Sequence, residues 1–143
     1  MFKKILVPVN LEQTHLSKKA LDAAISICQT DGAQLQMITV VPGFGMPMVA
    51  SYFPKDATKE AIREVKKQLK TYLQSVIPDG LKAEAVVAEG NPSERIVKHA
   101  RKNDIDLIIM PCRIKKLEKW LLGSCSSRVV EHANCSVMVI KGV

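Results

Sequence analysis

Aromatic residues are scarce in this chain: Phe, Trp and Tyr together make up 4% of its 143 residues. Proteins that hold single-stranded nucleic acid stack its bases on such side chains, so their scarcity argues against that class. No groove-reading motif is present, and much of the formal net charge of +7 falls on one amphipathic segment. Although an excess of positive charge favours acidic partners in general, we do not expect nucleic acid among them.

Long apolar runs and paired cysteines are also lacking. The N-terminal stretch MFKKILVPVN has a short apolar run broken by Pro8, which fits neither a signal peptide nor a membrane span. The four cysteines, Cys28, Cys112, Cys125 and Cys135, form no CxxC pair, so reduced thiols are the default. We expect a cytoplasmic protein without membrane contact, in which Cys112 and Cys125 are ordinary small side chains rather than redox sensors.

A catalytic constellation is missing as well. His15, His99 and His132 do not have the mutual spacing of a metal site, and no nucleophile stands beside an evident base. We therefore expect neither a metal centre built by the protein nor an enzymatic activity.

The sequence does have a regular alternation of short β-branched runs with helical segments. The runs KKILVPV and LQMITVV lack a clean apolar and polar alternation, which is typical of strands buried on both faces of a parallel sheet. KAEAVVAEG, DLIIM and CSVMVIK are predicted as the third, fourth and fifth strands. The pattern predicts one domain over residues 1–143, of the α/β class. Its architecture is a doubly wound, five-stranded parallel sheet with helices on both faces and right-handed crossovers.

Capping residues and apolar spacing place the four helices. The first is predicted to begin near Thr14, whose hydroxyl could cap it, and to end at Gly32. The second, KDATKEAIREVKKQLKTYLQ, carries lysines on a solvated face, and the third has Asn91 as its cap. In the fourth, Val129 and Val130 are expected to face inward. The segment PGFGMPMVASYFP shows no periodicity and is interpreted as an excursion.

A binding site is expected at the carboxyl ends of the strands, where the strand order of an open parallel sheet reverses. Those ends are PVN, VVP, EG and MPC. Gly123 and Ser124 open the fourth helix, whose free N–H groups and positive dipole end suit a phosphate. The alternative is that Ser124 is simply a helix N-cap after a loop glycine.

Five stretches in this order together resemble the universal stress protein family over essentially the whole chain: KKILVPVN, ITVVP, EGNPSERIVKHA, DLIIMPC and LLGSCSSRVVEHANCSVMVIK. The last is the most specific, because LLGS, a helix ending in HA and then CSVMVIK is similar to that family's C-terminal signature. The resemblance implies a Rossmann-like fold of the adenine nucleotide alpha hydrolase-like type and the formation of dimers. In one branch it also implies ATP binding, through a G-x-x-G, nine-residue, G-S/T pattern.

That nucleotide pattern is altered in this chain. Its first two glycines correspond to Pro111 and, approximately, Ile114, in a loop one residue shorter, and only Gly123 and Ser124 match. Proline has no N–H to donate, and isoleucine blocks a close approach of the backbone. Asn10 stands where the family usually has an aspartate, so a donor as well as an acceptor is present there.

Cationic side chains could compensate for the lost backbone donors. Arg113, Lys115, Lys116 and Lys119 follow the fourth strand and would attract phosphate. The loop is also similar to that of a subgroup of small family members in which the segment before LLGS runs Ser-His/Arg-x-Pro and which are regarded as nucleotide binders. Cys112 and Arg113 fall in line with the first two positions of that pattern.

The resemblance therefore implies a cytoplasmic stress-response protein that binds ATP, AMP or a related adenine nucleotide without rapid turnover, and Mg²⁺ can accompany the nucleotide. The alternative is a family member that binds no nucleotide and acts as a protein-interaction module. The residues implied for the adenosine are Pro8, Val9, Asn10 and Val40, those for the ribose and phosphates Met110, Pro111, Cys112 and Arg113, and those for the phosphate chain Gly123, Ser124 and Cys125.

The last strand, SVMVIK, predicts an assembly. In the family order it is an edge strand, with unpaired N–H and C=O groups and only Lys141 to blunt it. We expect a homodimer joined antiparallel through the segment from Val137 to Ile140, which agrees with the dimers that the resemblance implies. The alternative is that residues 42–54 fold over this edge and leave a monomer.

Overall fold

The computed structural model of the protein describes residues 1–42, 55–113 and 122–142, with the backbone alone at residues 55–56. Its described residues form a five-stranded sheet in which all paired neighbours are parallel. The strands, numbered along the chain, are β1 Lys4–Pro8, β2 Gln34–Val41, β3 Ala83–Glu89, β4 Leu107–Cys112 and β5 Ser136–Lys141. Their order across the sheet is β3-β2-β1-β4-β5. The predicted doubly wound parallel sheet is confirmed.

Four α-helices connect the strands in the described part of the chain. They are α1 Lys18–Asp31, α2 Lys55–Val76, α3 Pro92–Lys102 and α4 Ser124–His132. A 3₁₀ turn, Thr14–Ser17, precedes α1. Residues 43–54 of the predicted excursion lie outside the described residues. The alternative that this segment covers β5 is therefore not tested.

The sheet separates two apolar cores, and β1 contributes to both. Ile5 and Val7 pack into the core that holds α1 and α2, whereas Leu6 between them packs into the core that holds α3 and α4. All three side chains are 0% exposed. Successive strand residues point to opposite faces, so a strand covered on both faces must be apolar throughout. This confirms helices on both faces of the sheet.

α1 ends at the Gly32 cap as predicted, but it does not begin with a Thr14 cap. Gly32 takes the left-handed conformation, with φ 71°, and its N–H donates to the Cys28 carbonyl at 2.8 Å. The prediction that Thr14 caps the helix is wrong. The α-helix begins only at Lys18, because a 3₁₀ turn intervenes, and no side-chain cap bond forms at either N-cap. Thr14 is instead the first residue of that 3₁₀ turn.

The apolar faces of the other helices are mostly as predicted. Leu69 of α2 is fully buried, and the predicted cations of that helix are exposed. Val129 of α4 is buried, but Val130 is 44% exposed, so its predicted inward orientation is wrong. α4 has only nine residues and packs inward through Ser126 and Val129, three residues apart. The next position along the helix therefore falls on the outer side.

A polar chain crosses the inner side of α3. His99 Nε2 lies 2.6 Å from Gln36 Oε1 of β2, and Asn103 Nδ2 lies 3.1 Å from His99 Nδ1. Gln36 Nε2 donates in turn to Glu84 on β3 at 3.4 Å. A carbonyl oxygen accepts from one ring nitrogen and an amide N–H₂ donates to the other, so the neutral imidazole satisfies both contacts. Burial lowers the pKa of His99, and the Glu84 carboxylate opposes this more weakly.

We predict that His99 makes folding stability depend on pH below neutrality. Its pKa is lower in the folded protein than the ordinary 6.5, so the unfolded chain binds more protons in the window below 6.5 and stability is lost as pH falls through it. Urea unfolding at about pH 7.5 and about pH 5.5 should show a larger loss of unfolding free energy in the wild type than in His99→Gln, which cannot ionise. Equal losses in the two proteins would contradict a coupling through His99.

Candidate functional site

The site follows from the strand order. From β1 the chain moves outward to β2 and β3, then returns across β1 to β4 and β5, so the order reverses between β1 and β4. Loops leaving two neighbouring parallel strands in opposite directions leave a crevice at their carboxyl ends. A cleft of about 610 Å³ lies at this point. Its volume is within the range usual for small-molecule sites.

Three strand ends and the helices beside them line the cleft. Pro8 ends β1 and is followed by Val9 and Asn10, and Thr39 and Val40 come from the end of β2. Met110 and Pro111 come from the end of β4, and Arg113 follows it. Helices supply the remaining walls: Val65 and Gln68 from α2, Ile96 from α3, and Cys125 and Ser126 from α4. Most of the lining is apolar, which suits a flat ring.

Eight of the eleven residues predicted for a nucleotide line this cleft. They are Pro8, Val9, Asn10, Val40, Met110, Pro111, Arg113 and Cys125. Cys112 does not line it: its side chain is 3% exposed, with Sγ 3.9 Å from the Arg113 carbonyl. Gly123 and Ser124 are exposed and also lie outside the lining. They precede Cys125 directly, so they border the cleft without forming its wall.

Hydrogen bonds hold the β1 end of the cleft in place. The Thr39 hydroxyl donates to the Val9 carbonyl at 2.7 Å, and Val9 N–H donates to the Ile38 carbonyl at 2.8 Å. From the helical side, the Ser17 hydroxyl donates to the Pro8 carbonyl at 3.2 Å. Both hydroxyl-bearing side chains are buried. The loop that would meet a ligand is therefore preorganised by contacts that do not need the ligand.

Asn10 closes a turn with its side chain. Its Oδ1 accepts the Glu12 N–H at 3.0 Å, and its backbone carbonyl accepts the Gln13 N–H at 3.1 Å. A carboxylate oxygen would close the same turn, so this bond does not distinguish Asn from Asp. The difference lies in Nδ2, a donor that has no hydrogen-bond partner among residues 1–42, 55–113 and 122–142. Asn10 thus offers a ligand a donor where an aspartate would offer an acceptor.

The N-terminus of α4 has no side-chain cap. The N-cap is Gly123, with φ −59° and ψ 158°, and Ser124 is the first helical residue, so the alternative of a Ser124 N-cap is wrong. The first N–H groups of a helix have no partner within it. A Cβ at Gly123 would meet no atom of the described residues within 4 Å. The predicted loop cations Lys115, Lys116 and Lys119, and Ile114, lie outside the described residues.

The sequence analysis missed several lining residues. Thr39 could have been predicted, since it precedes a predicted strand end. Its role, however, depends on the hydrogen bond from its hydroxyl to the Val9 carbonyl. Val65 and Gln68 carried no signal, because α2 comes to the cleft only through packing. Pro92 and Ile96 of α3 also form part of the cleft wall, and no prediction placed them there.

Other chemistry is constrained by the described residues. Among them, no cluster of three or more His, Cys, Asp or Glu side chains is arranged to hold a metal ion. Burial raises the pKa of the Cys125 thiol, against a smaller opposite effect of Arg128, so the reactive thiolate is disfavoured in the cleft. No described helix combines the length and the apolarity needed to cross a bilayer.

Related sequences and solved structures both match nearly the whole length of this chain. The universal stress protein MJ0531 of Methanocaldococcus jannaschii is 33% identical, over 99% of this chain and 83% of its own. The universal stress protein YxiE of Bacillus subtilis is 29% identical, over 99% of this chain and all of its own. Among solved structures, the hypothetical protein MJ0577 superposes with a TM-score of 0.78 at 24% identity, over 100% of this chain and 98% of that one.

Two further solved structures carry adenine nucleotides. A universal stress protein family protein of Arabidopsis thaliana with AMP bound has a TM-score of 0.65 at 18% identity, over 99% of this chain and 92% of its own. The universal stress protein of Archaeoglobus fulgidus in complex with dAMP has a TM-score of 0.60 at 20% identity, over 98% of each chain. At these identities the likeness establishes the Rossmann-like fold. The model of the universal stress protein family itself matches residues 1–141, and the chain belongs to that family.

Proposed function

We propose that this protein binds ATP or a related adenine nucleotide in the cleft between β1 and β4, holds it without rapid turnover and acts in a stress response. The observation that carries the proposal is the position of the cleft at the strand-order reversal, with an apolar wall and a preorganised β1 loop. Nucleotides bind at such crevices in doubly wound sheets. The AMP and dAMP complexes of the two structural neighbours support an adenine base.

In the proposed mode, the adenosine lies against Pro8, Val9 and Val40, where Asn10 Nδ2 donates to an acceptor on the base or ribose. Met110 and Pro111 flank the ribose. Cys112 contributes only backbone, because its side chain is buried. The phosphates meet the N–H groups of α4 at the residues Gly123, Ser124 and Cys125.

Arg113 is the proposed replacement for lost backbone donors. Pro111 cannot donate a hydrogen bond, so the β4 end is poorer in N–H groups than the family's glycine-containing pattern. Arg113 is exposed and lines the cleft, and its guanidinium can reach phosphate oxygens in a bidentate manner. Charge then provides affinity that backbone geometry no longer provides. Mg²⁺, where present, would arrive with the phosphates.

Absence of rapid turnover is part of the proposal. Phosphoryl transfer needs a group that positions or deprotonates the attacking water. Glu12 provides the only carboxylate among the described lining residues, and it neighbours Asn10, on the side assigned to the adenosine.

The second candidate function is a protein-interaction module without nucleotide, which the missing glycines favour.

The direct test is thermal or chemical unfolding with and without AMP or ATP and magnesium. A ligand present at a hundred times its Kd stabilises the folded state by about 2.7 kcal/mol. We expect such a stabilisation with adenine nucleotides and a smaller one with guanine nucleotides. Absence of any shift at millimolar nucleotide would favour the interaction module.

A substitution at Arg113 separates phosphate recognition from adenosine recognition. We expect Arg113→Ala to weaken AMP binding by about tenfold or more, because a charge-assisted hydrogen bond is lost. Adenosine affinity should be unchanged. Titration calorimetry measures both, and Arg63→Ala, which removes an exposed cation from α2 outside the cleft, is the control. An unchanged AMP affinity in Arg113→Ala would remove this residue from the site.

We also propose a homodimer formed through β5. Among the described residues this strand pairs with β4 alone and lies at an edge of the sheet, with its apolar residues Val137 to Ile140 partly buried. Val139→Pro deletes one N–H of this strand and should give a monomer in light scattering. Val87→Pro in β3, the opposite edge strand, is the matched control and should leave the dimer intact. Circular dichroism verifies that both variants fold. A wild-type monomer, or a dimer that Val139→Pro does not affect, would place any interface elsewhere.

A further inference from the structure

A second cavity lies on the outer side of α3 and α4. It is a groove of about 540 Å³, and half of its lining residues are Lys or Arg from the two helices. We call it the α3–α4 groove and define it by Val97, Lys98, Arg101, Lys102, Arg128 and His132. None of its lining residues lines the nucleotide cleft, although both cavities use the same two helices.

Helical spacing explains why the cations converge. Arg101 and Lys102 lie three and four residues after Lys98, which places all three on one side of α3. Arg128 and His132 are four residues apart on one side of α4. The opposite side of α3 is anchored in the core, and Val97, 9% exposed, forms the apolar floor of the groove.

The charge in the groove is unbalanced. Four residues, Lys98, Arg101, Lys102 and Arg128, carry permanent positive charges there, and Glu94 is the one carboxylate in the lining. None of the four makes an ion pair or a side-chain hydrogen bond with a described residue. Like charges held on facing helices repel one another, so an anion bound between them would be favoured.

The dipoles of the helices account for part of this cluster only. Arg101 and Lys102 lie in the last turn of α3, and His132 lies in the last turn of α4. Cations at such positions stabilise the helix end without any ligand. Lys98 and Arg128 lie outside the last turns, where the dipole effect has faded. The helix dipoles therefore do not account for these two cations.

We propose that the α3–α4 groove docks an acidic segment of a partner protein, with carboxylates bound between the cations of the two helices. Guanidinium groups on both walls match carboxylates in a bidentate manner. A nucleic acid is less suited, because the groove lining contains no aromatic side chain for stacking and is confined between two short helices. The proposal goes beyond nucleotide binding and uses a different set of residues.

The test is the binding of a short fluorescein-labelled peptide of alternating Glu and Ala, followed by fluorescence anisotropy at low salt. The matched Gln and Ala peptide has the same length without the charges. The double variant Lys98→Glu/Arg128→Glu should weaken binding of the acidic peptide by about tenfold or more, since two charge contacts are reversed. The control Lys66→Glu/Lys67→Glu makes the same change of net charge on the exposed face of α2 and should retain nearly wild-type affinity.

Three results would overturn the proposal. The wild type could bind the acidic and neutral peptides equally weakly, or the two double variants could lose affinity equally, which would mean that net charge alone attracts the peptide. A single-stranded DNA oligonucleotide of equal charge could bind more tightly than the peptide and be lost in Lys98→Glu/Arg128→Glu, which would make the groove a nucleic-acid site. Nucleotide-induced stabilisation of that variant, measured in parallel, tests the cleft separately, because no groove residue lines it.

Discussion

The burial of β1 on both faces is the constraint on which the rest of the structure depends. Ile5, Leu6 and Val7 are fully removed from water, and each such side chain contributes roughly 1.5–3 kcal/mol relative to an exposed one. These residues can be buried only if helices cover both sides of the strand. One core then holds α1 and α2 and the other holds α3 and α4. Parallel pairing follows, since each connection must cross a face of the sheet before the next strand begins.

The cleft is a consequence of the same arrangement. With β1 in the centre, the chain fills one half of the sheet and then the other, and the connections diverge where β1 and β4 end. The backbone at this point is held by Thr39 and Ser17, two buried hydroxyls whose hydrogen bonds satisfy carbonyl groups of the β1 end. Buried carbonyls need such partners, so these residues serve folding and site geometry together.

Two cationic regions of the surface differ in how their charges are arranged: the exposed face of α2 and the α3–α4 groove. On α2 the cations are exposed and interspersed with Glu60 and Glu64, each three residues before a cation, as on an ordinary solvated helix. In the α3–α4 groove, cations from two helices line one cavity, and Glu94 is the one carboxylate in its lining. Because the formal net charge of +7 is a sum over the chain, it does not distinguish the two regions. The two regions differ in that the cations lie along one helix in the first and on two neighbouring helices in the second.

Local periodicity was enough to predict which segments are strands, which faces of most helices are buried and where the strand ends lie. The unbroken apolar run of β1 and the αL glycine after α1 could be recognised from neighbouring residues alone. Eight lining residues of the cleft were predicted, since they stand at strand ends or helix starts. Other features depended on tertiary packing: Val130 faces outward, Thr14 begins a 3₁₀ turn instead of capping a helix, the Cys112 side chain is buried outside the cleft lining, and Val65 reaches the cleft. Packing also brought Arg101 and Arg128 to the same groove. These outcomes depend on the packing of elements far apart in the chain, and a local pattern carries no information about which distant surface a side chain will meet.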